Sequence, residues 1–166
     1  MTYKILCVCL GNICRSPTAE VVLRAQAKAA GLHVSIDSAG TGGWHIGDPP
    51  DARMQAAGRA RGLDLAGLRA RQVSAEDFEQ FDLILAMDRQ NRADLERLRP
   101  AGNAVPVRLM LSWDAPQGGS NGPAATHPER DVPDPYYEGG FDHVIDLIER
   151  SGSALMAEIA ARKDQA

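Results

Sequence analysis

Residues 3–17 read YKILCVCLGNICRSP and contain a strand, a short loop and the start of a helix. The first seven residues, Tyr3 to Cys9, are almost continuously apolar, which is typical of a strand buried on both faces of a parallel sheet. Pro17 suits the first position of a helix over 17–30, and Ser16 is a candidate N-cap. The stretch therefore predicts a strand–loop–helix unit, the repeating element of an α/β fold.

Short apolar runs and longer amphipathic stretches continue to alternate along the chain. We expect further strands over 33–37, 81–87 and 105–109, and helices over 49–61, 74–80, after the third strand to about 98, and from 141 to near the end. Pro106 indicates that the fourth strand lies at an edge. The sequence predicts one α/β domain over 1–166, with a four-stranded parallel sheet and helices on both faces. Residues 115–133 are rich in Gly and Pro without a usable period, and we expect a long flexible loop there.

Composition and charge exclude several classes of protein. The 166 residues include 18 Lys and Arg against 22 Asp and Glu, a net charge of −4, whereas general nucleic-acid binding needs a basic surface. No apolar run approaches the roughly 18 residues of a spanning helix, so we expect no membrane insertion. The amino terminus also lacks a secretory cleavage pattern. All three cysteines lie within the first fourteen residues, which is no disulfide framework and favours thiol chemistry in the cytoplasm.

The loop after the first strand carries the chemistry that the sequence predicts. Cys9 ends the strand, and five residues separate it from Arg15 at the start of the helix. Ligands of open α/β sheets bind at the carboxyl ends of the strands. The N–H groups of such a loop and the helix N-terminus attract an anion, and an arginine pairs bidentately with phosphate oxygens. A thiolate at this position would be a nucleophile directed at phosphorus.

Two other interpretations of this loop are weaker. A nucleotide-binding loop of the Walker type needs Gly-Lys-Ser or Gly-Lys-Thr, and residues 9–17 contain neither. A buried structural cysteine at a strand end is the other alternative. The Arg-Ser-Pro that follows, with a strand before the loop and a helix after it, favours the catalytic interpretation.

Residues 9–17, CLGNICRSP, resemble the signature of the low-molecular-weight protein tyrosine phosphatases, and so do residues 134–137, DPYY. The resemblance extends in the same order to residues 37–41, 44–50, 70–72 and 87–88, and so covers most of the chain. It implies a three-layer, flavodoxin-like fold, in agreement with the strands predicted above. It also implies a cysteine-dependent hydrolase that acts on phosphotyrosine in proteins or peptides and on aryl phosphates, without metal or cofactor.

The resemblance gives roles to the residues of the loop. Cys9 attacks phosphorus and forms a phosphocysteine intermediate, and Arg15 and the loop amides hold the phosphate oxygens. Ser16 donates a hydrogen bond to the Cys9 thiolate, while Asn12 and Ser38 brace the loop. The loop residues expected to contact the substrate are Leu10, Gly11, Asn12, Ile13 and Cys14.

Asp134 is the general acid and base that the resemblance implies. It would protonate the leaving phenolate and then activate water against the phosphocysteine. Asp88 is the alternative acid, because it also follows a buried strand, although an aspartate in that setting is more often an N-cap.

An aromatic slot would select the substrate. Trp44, Tyr136 and Tyr137 are expected to line it, so that a phosphorylated phenol reaches Cys9 and a short phosphoserine does not. His45 is either a further contact or an exposed loop histidine. The two tyrosines are also possible targets of a tyrosine kinase.

The other two cysteines have different expected roles. By the resemblance, Cys14 forms a reversible disulfide with Cys9 that protects the nucleophile from overoxidation. A small buried side chain is the equal alternative for Cys14. Cys7 is expected in the core.

Other activities on the same scaffold are less favoured. An arsenate reductase relays a disulfide through cysteines beyond the loop, and no cysteine follows Cys14. In phosphoarginine phosphatases the position of Ile13 resembles a threonine. A phosphocarrier domain must protect its phosphocysteine from water, which Arg15 and Asp134 argue against. A silent phosphotyrosine-binding module would lack the nucleophile or the acid.

Overall fold

A computed structural model describes residues 2–114 and 129–164 of the chain. Within these residues, four strands form one parallel sheet in the order β2-β1-β3-β4. The strands are β1 (Tyr3–Cys9), β2 (Val34–Gly40), β3 (Leu83–Ala86) and β4 (Val107–Leu109). The predicted α/β class with a four-stranded parallel sheet is confirmed, and β4 lies at an edge, as Pro106 indicated.

Helices connect the strands and pack on the sheet. They are α1 (Arg15–Ala29), α2 (Ala52–Arg59), α3 (Asp77–Gln80), α4 (Arg89–Leu98), α5 (Pro135–Glu138) and α6 (Phe141–Asp164), with a 3-10 turn over Met110–Trp113. α2 is shorter than expected because it begins after two prolines, where Asp51 caps it by accepting hydrogen bonds from two N–H groups of its first turn. Neither α5 nor the 3-10 turn follows from the sequence, since four residues are too few to establish a period. Among the described helices, none is long and apolar enough to cross a membrane.

Residues of β1 alternate between two apolar cores. Ile5 and Cys7 pack with apolar residues of α1 and α6, while Leu6 and Val8 pack on the other face with residues of α3 and α4. All four are fully buried, and the expected core position of Cys7 is confirmed. Because β1 is one of the two inner strands and is covered on both faces, its carboxyl end is a rigid platform for the loop that follows Cys9.

The predicted loop over 115–133 falls mostly outside the described residues, since 115–128 are not among them. Ion pairs connect the residues on either side of that stretch. Arg130 donates to the buried carboxylate of Asp114 at 2.8 Å, and Arg150 of α6 donates to it at 3.1 Å. Burial raises the pKa of Asp114, but the hydrogen bonds from Arg150 and Arg130 lower it more, and the net shift is downward. These ion pairs hold Arg130, a few residues before Asp134, against Asp114 and α6.

Candidate active site

The loop over 9–15 turns at Asn12, next to the carboxyl end of β1. Asn12 has a left-handed backbone conformation, with φ of 58°, which asparagine tolerates better than most residues. Its Oδ1 accepts a hydrogen bond from the Arg71 N–H at 3.0 Å. Its Nδ2 donates to the hydroxyls of Ser16 and Ser38 at 2.8 and 3.0 Å. These contacts support the bracing roles expected of Asn12 and Ser38.

The end of β2 approaches this loop so closely that glycine is required there. A Cβ atom on Gly40 would lie 2.7 Å from the Leu10 carbonyl oxygen and 3.1 Å from the Asn12 nitrogen. Both neighbours are backbone atoms, so any larger residue would displace the loop itself. The sequence signal for this contact is the glycine within residues 37–41, but its partner on the loop cannot be read from the sequence.

The Cys9 thiol lies at the base of the loop, and only 3% of the residue is exposed. Sγ accepts a hydrogen bond from the Asn12 N–H at 3.3 Å and lies 3.0 Å from the Ser16 Oγ. The prediction of Ser16 as N-cap is wrong: α1 begins at Arg15, and Cys14 occupies the cap position without a side-chain hydrogen bond. The Ser16 hydroxyl lies near Cys9 and the Ala39 carbonyl instead, so it does not compete with an anion for the first N–H groups of α1.

The Arg15 guanidinium is almost fully buried and is held by three groups. Nη1 lies 2.7 Å from the Asp88 Oδ2 and donates to the Val132 carbonyl at 3.0 Å, and Nη2 lies 3.4 Å from the Asp134 Oδ2. Burial lowers the pKa of Arg15, but Cys9 and Asp88 raise it more, and the net shift is upward. Arg15 is therefore a charged planar fork beside the loop, suited to two oxygens of a phosphate group.

Asp88 uses both of its carboxylate oxygens for structure. Oδ1 accepts a hydrogen bond from the Asn91 N–H at 2.6 Å and caps α4, so the N-cap interpretation is confirmed. Oδ2 accepts from Arg15 at 2.7 Å. Sequence reasoning missed this second contact, which joins residues 73 positions apart and has no local signal. Asp134 lines the cavity beside Cys9 and Asp88 does not, so Asp134 is the better candidate for the proton donor.

Asp134 lies at the wall of the site as the N-cap of α5. Oδ1 accepts a hydrogen bond from the Tyr136 N–H at 3.1 Å, while Oδ2 faces Arg15. The side chain is 27% exposed. One carboxylate oxygen is thus oriented by the backbone, and the other points toward the group that would hold the phosphate.

The residues just before Asp134 are anchored to the sheet and to α4. The Val132 N–H donates to the Met87 carbonyl at 2.8 Å. The Asp131 carboxylate accepts from the Arg89 N–H at 2.9 Å and from its Nε at 3.1 Å. The segment therefore enters α5 from a fixed position.

A cavity of about 310 Å³ opens beside Cys9. Its lining consists of Cys9, Leu10, Gly11, Ile13, Cys14, Arg15, Trp44, His45, Asp134, Tyr136 and Tyr137. The structure thus brings together the predicted catalytic and substrate-binding residues, except that Asn12 and Ser16 do not line the cavity and contact Cys9 instead. Across residues 2–114 and 129–164, no group of three or more His, Cys, Asp or Glu is arranged to hold a metal ion.

Aromatic side chains form the rim of this cavity. Trp44 and Tyr137 are each 74% exposed, and the rings of Tyr136 and Tyr137 meet edge to face with centroids 5.0 Å apart. His45 lines the cavity, and its Nδ1 lies 3.2 Å from the Asp48 Oδ2. Of the two interpretations of His45, the structure favours a contact in the site over an exposed loop residue.

Arg53, which sequence reasoning missed, contacts the aromatic rim from outside the cavity lining. Its guanidinium lies 5.5 Å from the centroid of the Tyr136 ring and 4.9 Å from that of Phe141, and Nη2 donates to Asp51 at 3.0 Å. The arginine therefore joins α2 to the aromatic wall. The two aromatic partners, Tyr136 and Phe141, are far from Arg53 in the chain, so no local pattern indicates these contacts.

The Cys14 thiol is buried beside the cavity and is free. Burial, with smaller contributions from Asp51 and Cys9, raises the pKa of Cys14 well above its usual value. Cys14 is therefore a protonated thiol near neutral pH, in the same pocket as Cys9.

Comparison with known proteins identifies the same family over nearly the whole chain. Residues 4–165 match the model of the low molecular weight phosphotyrosine protein phosphatase family. A low molecular weight protein-tyrosine-phosphatase of Streptomyces coelicolor is 43% identical over 166 residues, covering 96% of this chain and 94% of the relative. YfkJ of Bacillus subtilis, of the same description, is 40% identical over 162 residues, covering 96% and 97%.

Solved structures agree with these sequence matches. The crystal structure of YfkJ superposes with a TM-score of 0.84 and covers 98% of each chain at 40% identity. A Drosophila arginine phosphatase superposes with a TM-score of 0.82 at 30% identity, covering 94% of this chain and 97% of that one. The fold is thus similar to those of proteins described as phosphatases.

Proposed function

Because this chain belongs to the low molecular weight phosphotyrosine protein phosphatase family, we propose that it hydrolyses phosphotyrosine in proteins or peptides, with Cys9 as the nucleophile. The observation that carries the proposal is the convergence of the Cys9 thiol, the Arg15 guanidinium and the Asp134 carboxylate on one aromatic-rimmed cavity. A two-step displacement at phosphorus needs a nucleophile, a cation that binds the phosphate oxygens and a proton donor. The thiol, the guanidinium and the carboxyl group can supply these in turn.

In the first step, the Cys9 thiolate attacks phosphorus and the bond to the phenolic oxygen breaks. Arg15 and the N–H groups of the loop stabilise the charge on the equatorial oxygens, and preorganised donors of this kind usually supply the largest catalytic term. Asp88 supports this step by holding Arg15 at 2.7 Å. The products are a phosphocysteine on Cys9 and a free phenol.

Asp134 supplies the proton that the leaving phenolate takes up. A phenol has a pKa near 10, so expulsion of the unprotonated phenolate would be slow. In the second step, the same carboxylate accepts a proton from water as that water attacks the phosphocysteine. Ser16 eases the departure of Cys9 by donating a hydrogen bond to the sulfur, as the 3.0 Å separation allows.

The rim of the cavity supports an aromatic substrate. Trp44, Tyr136 and Tyr137 offer exposed ring faces and edges around an opening that leads to Cys9. Ile13 lines the cavity beside them as an apolar contact for the ring. A phosphoarginine substrate is the second candidate, because one solved structure of similar fold is described as an arginine phosphatase. An apolar residue at Ile13 favours the phenyl ring over the charged guanidinium group.

Three further proposals accompany this function. We expect the enzyme to act in the cytoplasm, where its thiols stay reduced. Tyr136 and Tyr137 are exposed enough for a tyrosine kinase to reach. Cys14 closes a disulfide with Cys9 when the nucleophile is oxidised, because both thiols belong to the same pocket.

The first test is release of p-nitrophenol from p-nitrophenyl phosphate with a chelator present, comparing the wild type with Cys9→Ser. We expect turnover in the wild type and none in the variant, which should keep its fold and bind phosphate. Phosphotyrosine, phosphoserine and phosphoarginine peptides of one sequence then define the substrate. Faster release of phosphate from the phosphoarginine peptide than from the phosphotyrosine peptide would contradict the proposed substrate class.

A further inference from the structure

A second cavity lies at the end of the sheet opposite the proposed active site. It is lined by Tyr3 and Val34, which begin β1 and β2 and are paired in the sheet, whereas Cys9 ends β1. The length of β1 separates the two places by about 20 Å, at the rise of a strand. The cavity measures about 500 Å³, against about 310 Å³ beside Cys9. Nothing in the proposed two-step reaction uses it.

Apolar side chains form walls of this cavity, and the core holds them in place. Leu32, Val34 and Ile159 line the cavity and also pack, partly buried, against the core between the sheet, α1 and α6. The turn that ends α1 positions Leu32, because Gly31 has a left-handed backbone with φ of 67° and the Leu32 N–H donates to the Ala27 carbonyl at 2.9 Å. The walls are therefore formed by the fold itself, and a pre-formed site lowers the cost of binding a ligand.

Basic and neutral groups complete the lining. Among the described residues, the ionisable side chains that line the cavity are Tyr3, His33, Arg162 and Lys163. Arg162 and Lys163 belong to the last turn of α6. Burial raises the pKa of the Tyr3 hydroxyl, while Arg162 beside it opposes that rise, and the net shift is upward. The phenol is therefore a hydrogen-bond donor at neutral pH.

The charge at the cavity is positive, although the whole chain has a net charge of −4. Two carboxylates, those of Glu158 and Asp82, lie near enough to Tyr3 to raise its pKa, but neither of them lines the cavity. Glu158 offsets part of the positive charge, since its Oε2 lies 3.3 Å from the Arg162 Nη2. Lys163 adds a second cation to the lining. The cavity is thus complementary in charge to an anion.

We propose that this cavity binds a small organic anion with an apolar body, such as an aromatic carboxylate. The apolar walls contact the ring, and the basic side chains and the Tyr3 hydroxyl hold the carboxylate. Pockets for small molecules combine apolar walls with a few polar groups that fix the orientation of the ligand, and they measure about 300–1,000 Å³. The inference goes beyond the proposed function, because neither Cys9 nor the aromatic rim takes part in it.

The experiment titrates 1-naphthoate into the isotope-labelled full chain and follows the amide NMR signals. Inorganic phosphate is present throughout, to occupy the proposed active site. We expect saturable shifts that are largest for the amides of Tyr3, Leu32 and the last turn of α6. Shifts that do not saturate would overturn the proposal, as would shifts that are largest at residues 10–15 or at Trp44. The measurement needs no turnover, so its outcome does not depend on the proposed phosphatase activity.

Lys163→Glu tests whether charge holds the ligand. Lys163 is exposed, so the change should leave the fold intact, which circular dichroism checks. We expect the dissociation constant of 1-naphthoate to rise about tenfold, because an attraction becomes a repulsion. Lys28→Glu is the matched control, since Lys28 is also exposed in the last turn of a helix but does not line the cavity. Equal rises in the two variants, or no rise in Lys163→Glu, would overturn the proposal.

Two further probes test the class of ligand. Acetate has the carboxylate without the apolar body, and 1-naphthylmethanol has the apolar body without the charge. We expect each to bind about tenfold more weakly than 1-naphthoate, or weaker still, because each lacks one of the two complementary parts. An affinity of either probe equal to that of 1-naphthoate would overturn the assigned class.

Discussion

Replacing Asp88 by asparagine tests whether the position of Arg15 limits catalysis. In the native protein, one carboxylate oxygen accepts from the Asn91 N–H at 2.6 Å and the other from Arg15 at 2.7 Å. An amide has a single acceptor oxygen and cannot satisfy both donors. Asparagine is as good an N-cap as aspartate, so we expect its oxygen to keep the cap and its NH₂ group to face the guanidinium.

The expected loss follows from the contact that disappears. A hydrogen bond to a charged group contributes about 1.5–3 kcal/mol, and about 1.4 kcal/mol changes a rate tenfold. The ratio kcat/KM should therefore fall about 10- to 150-fold in Asp88→Asn. Removing a negative charge would by itself tighten binding of inorganic phosphate, whereas a displaced Arg15 weakens it. We expect the inhibition constant of phosphate to rise.

The assay is steady-state hydrolysis of p-nitrophenyl phosphate with phosphate as competitive inhibitor. Asp94→Asn is the matched control, because it makes the same charge change on α4 at an ion pair with Arg97, away from the cavity lining. Its kinetics should equal those of the wild type, and thermal unfolding should show both variants folded. A value of kcat/KM within twofold of the wild type in a folded Asp88→Asn would refute the reasoning, as would tighter phosphate binding.

Three other predictions concern Asp134, Cys14 and the ion pairs of Asp114. Asp134→Ala should slow phenyl phosphate far more than p-nitrophenyl phosphate, because only the poorer leaving group depends strongly on a proton; equal losses would contradict the assigned role. Burial and Asp51 raise the pKa of Cys14, so iodoacetamide at neutral pH should label Cys9 and leave Cys14 unlabelled. Mild peroxide should oxidise the two thiols to a disulfide. Mass spectrometry of the peptides checks the labelling and the disulfide. Asp114→Asn should lower the free energy of unfolding in urea by about 2 kcal/mol, because two arginines lose a buried charged acceptor. The folded pKa of Asp114 lies below its unfolded value, so this contribution is present above about pH 4 and is lost as the pH falls through the folded value; a difference that persists in stronger acid would contradict the linkage.

Predictions from the sequence were accurate where a local pattern reports directly on burial. The apolar run of residues 3–9 predicted β1 to the residue, since both faces of a central parallel strand are covered. The start of α1 was harder to predict. Ser-Pro is a usual N-cap signal, but here the Ser16 hydroxyl contacts Cys9, and the helix begins two residues earlier, at Arg15. The local N-cap rule failed because the Ser16 hydroxyl makes a tertiary contact with Cys9.

The sequence by itself determined the fold class and the loop proposed to bind phosphate, with its cysteine and arginine, because these depend on residues that are neighbours in the chain. Only the tertiary structure decided which groups surround them. Asp88 and the Val132 carbonyl reach Arg15 across 73 and 117 positions. Such contacts join separate elements at the carboxyl ends of β1 and β3, and the energy of a hydrogen bond depends on distance in space. Periodicity and spacing along the chain do not indicate how close two residues remote in sequence lie in space.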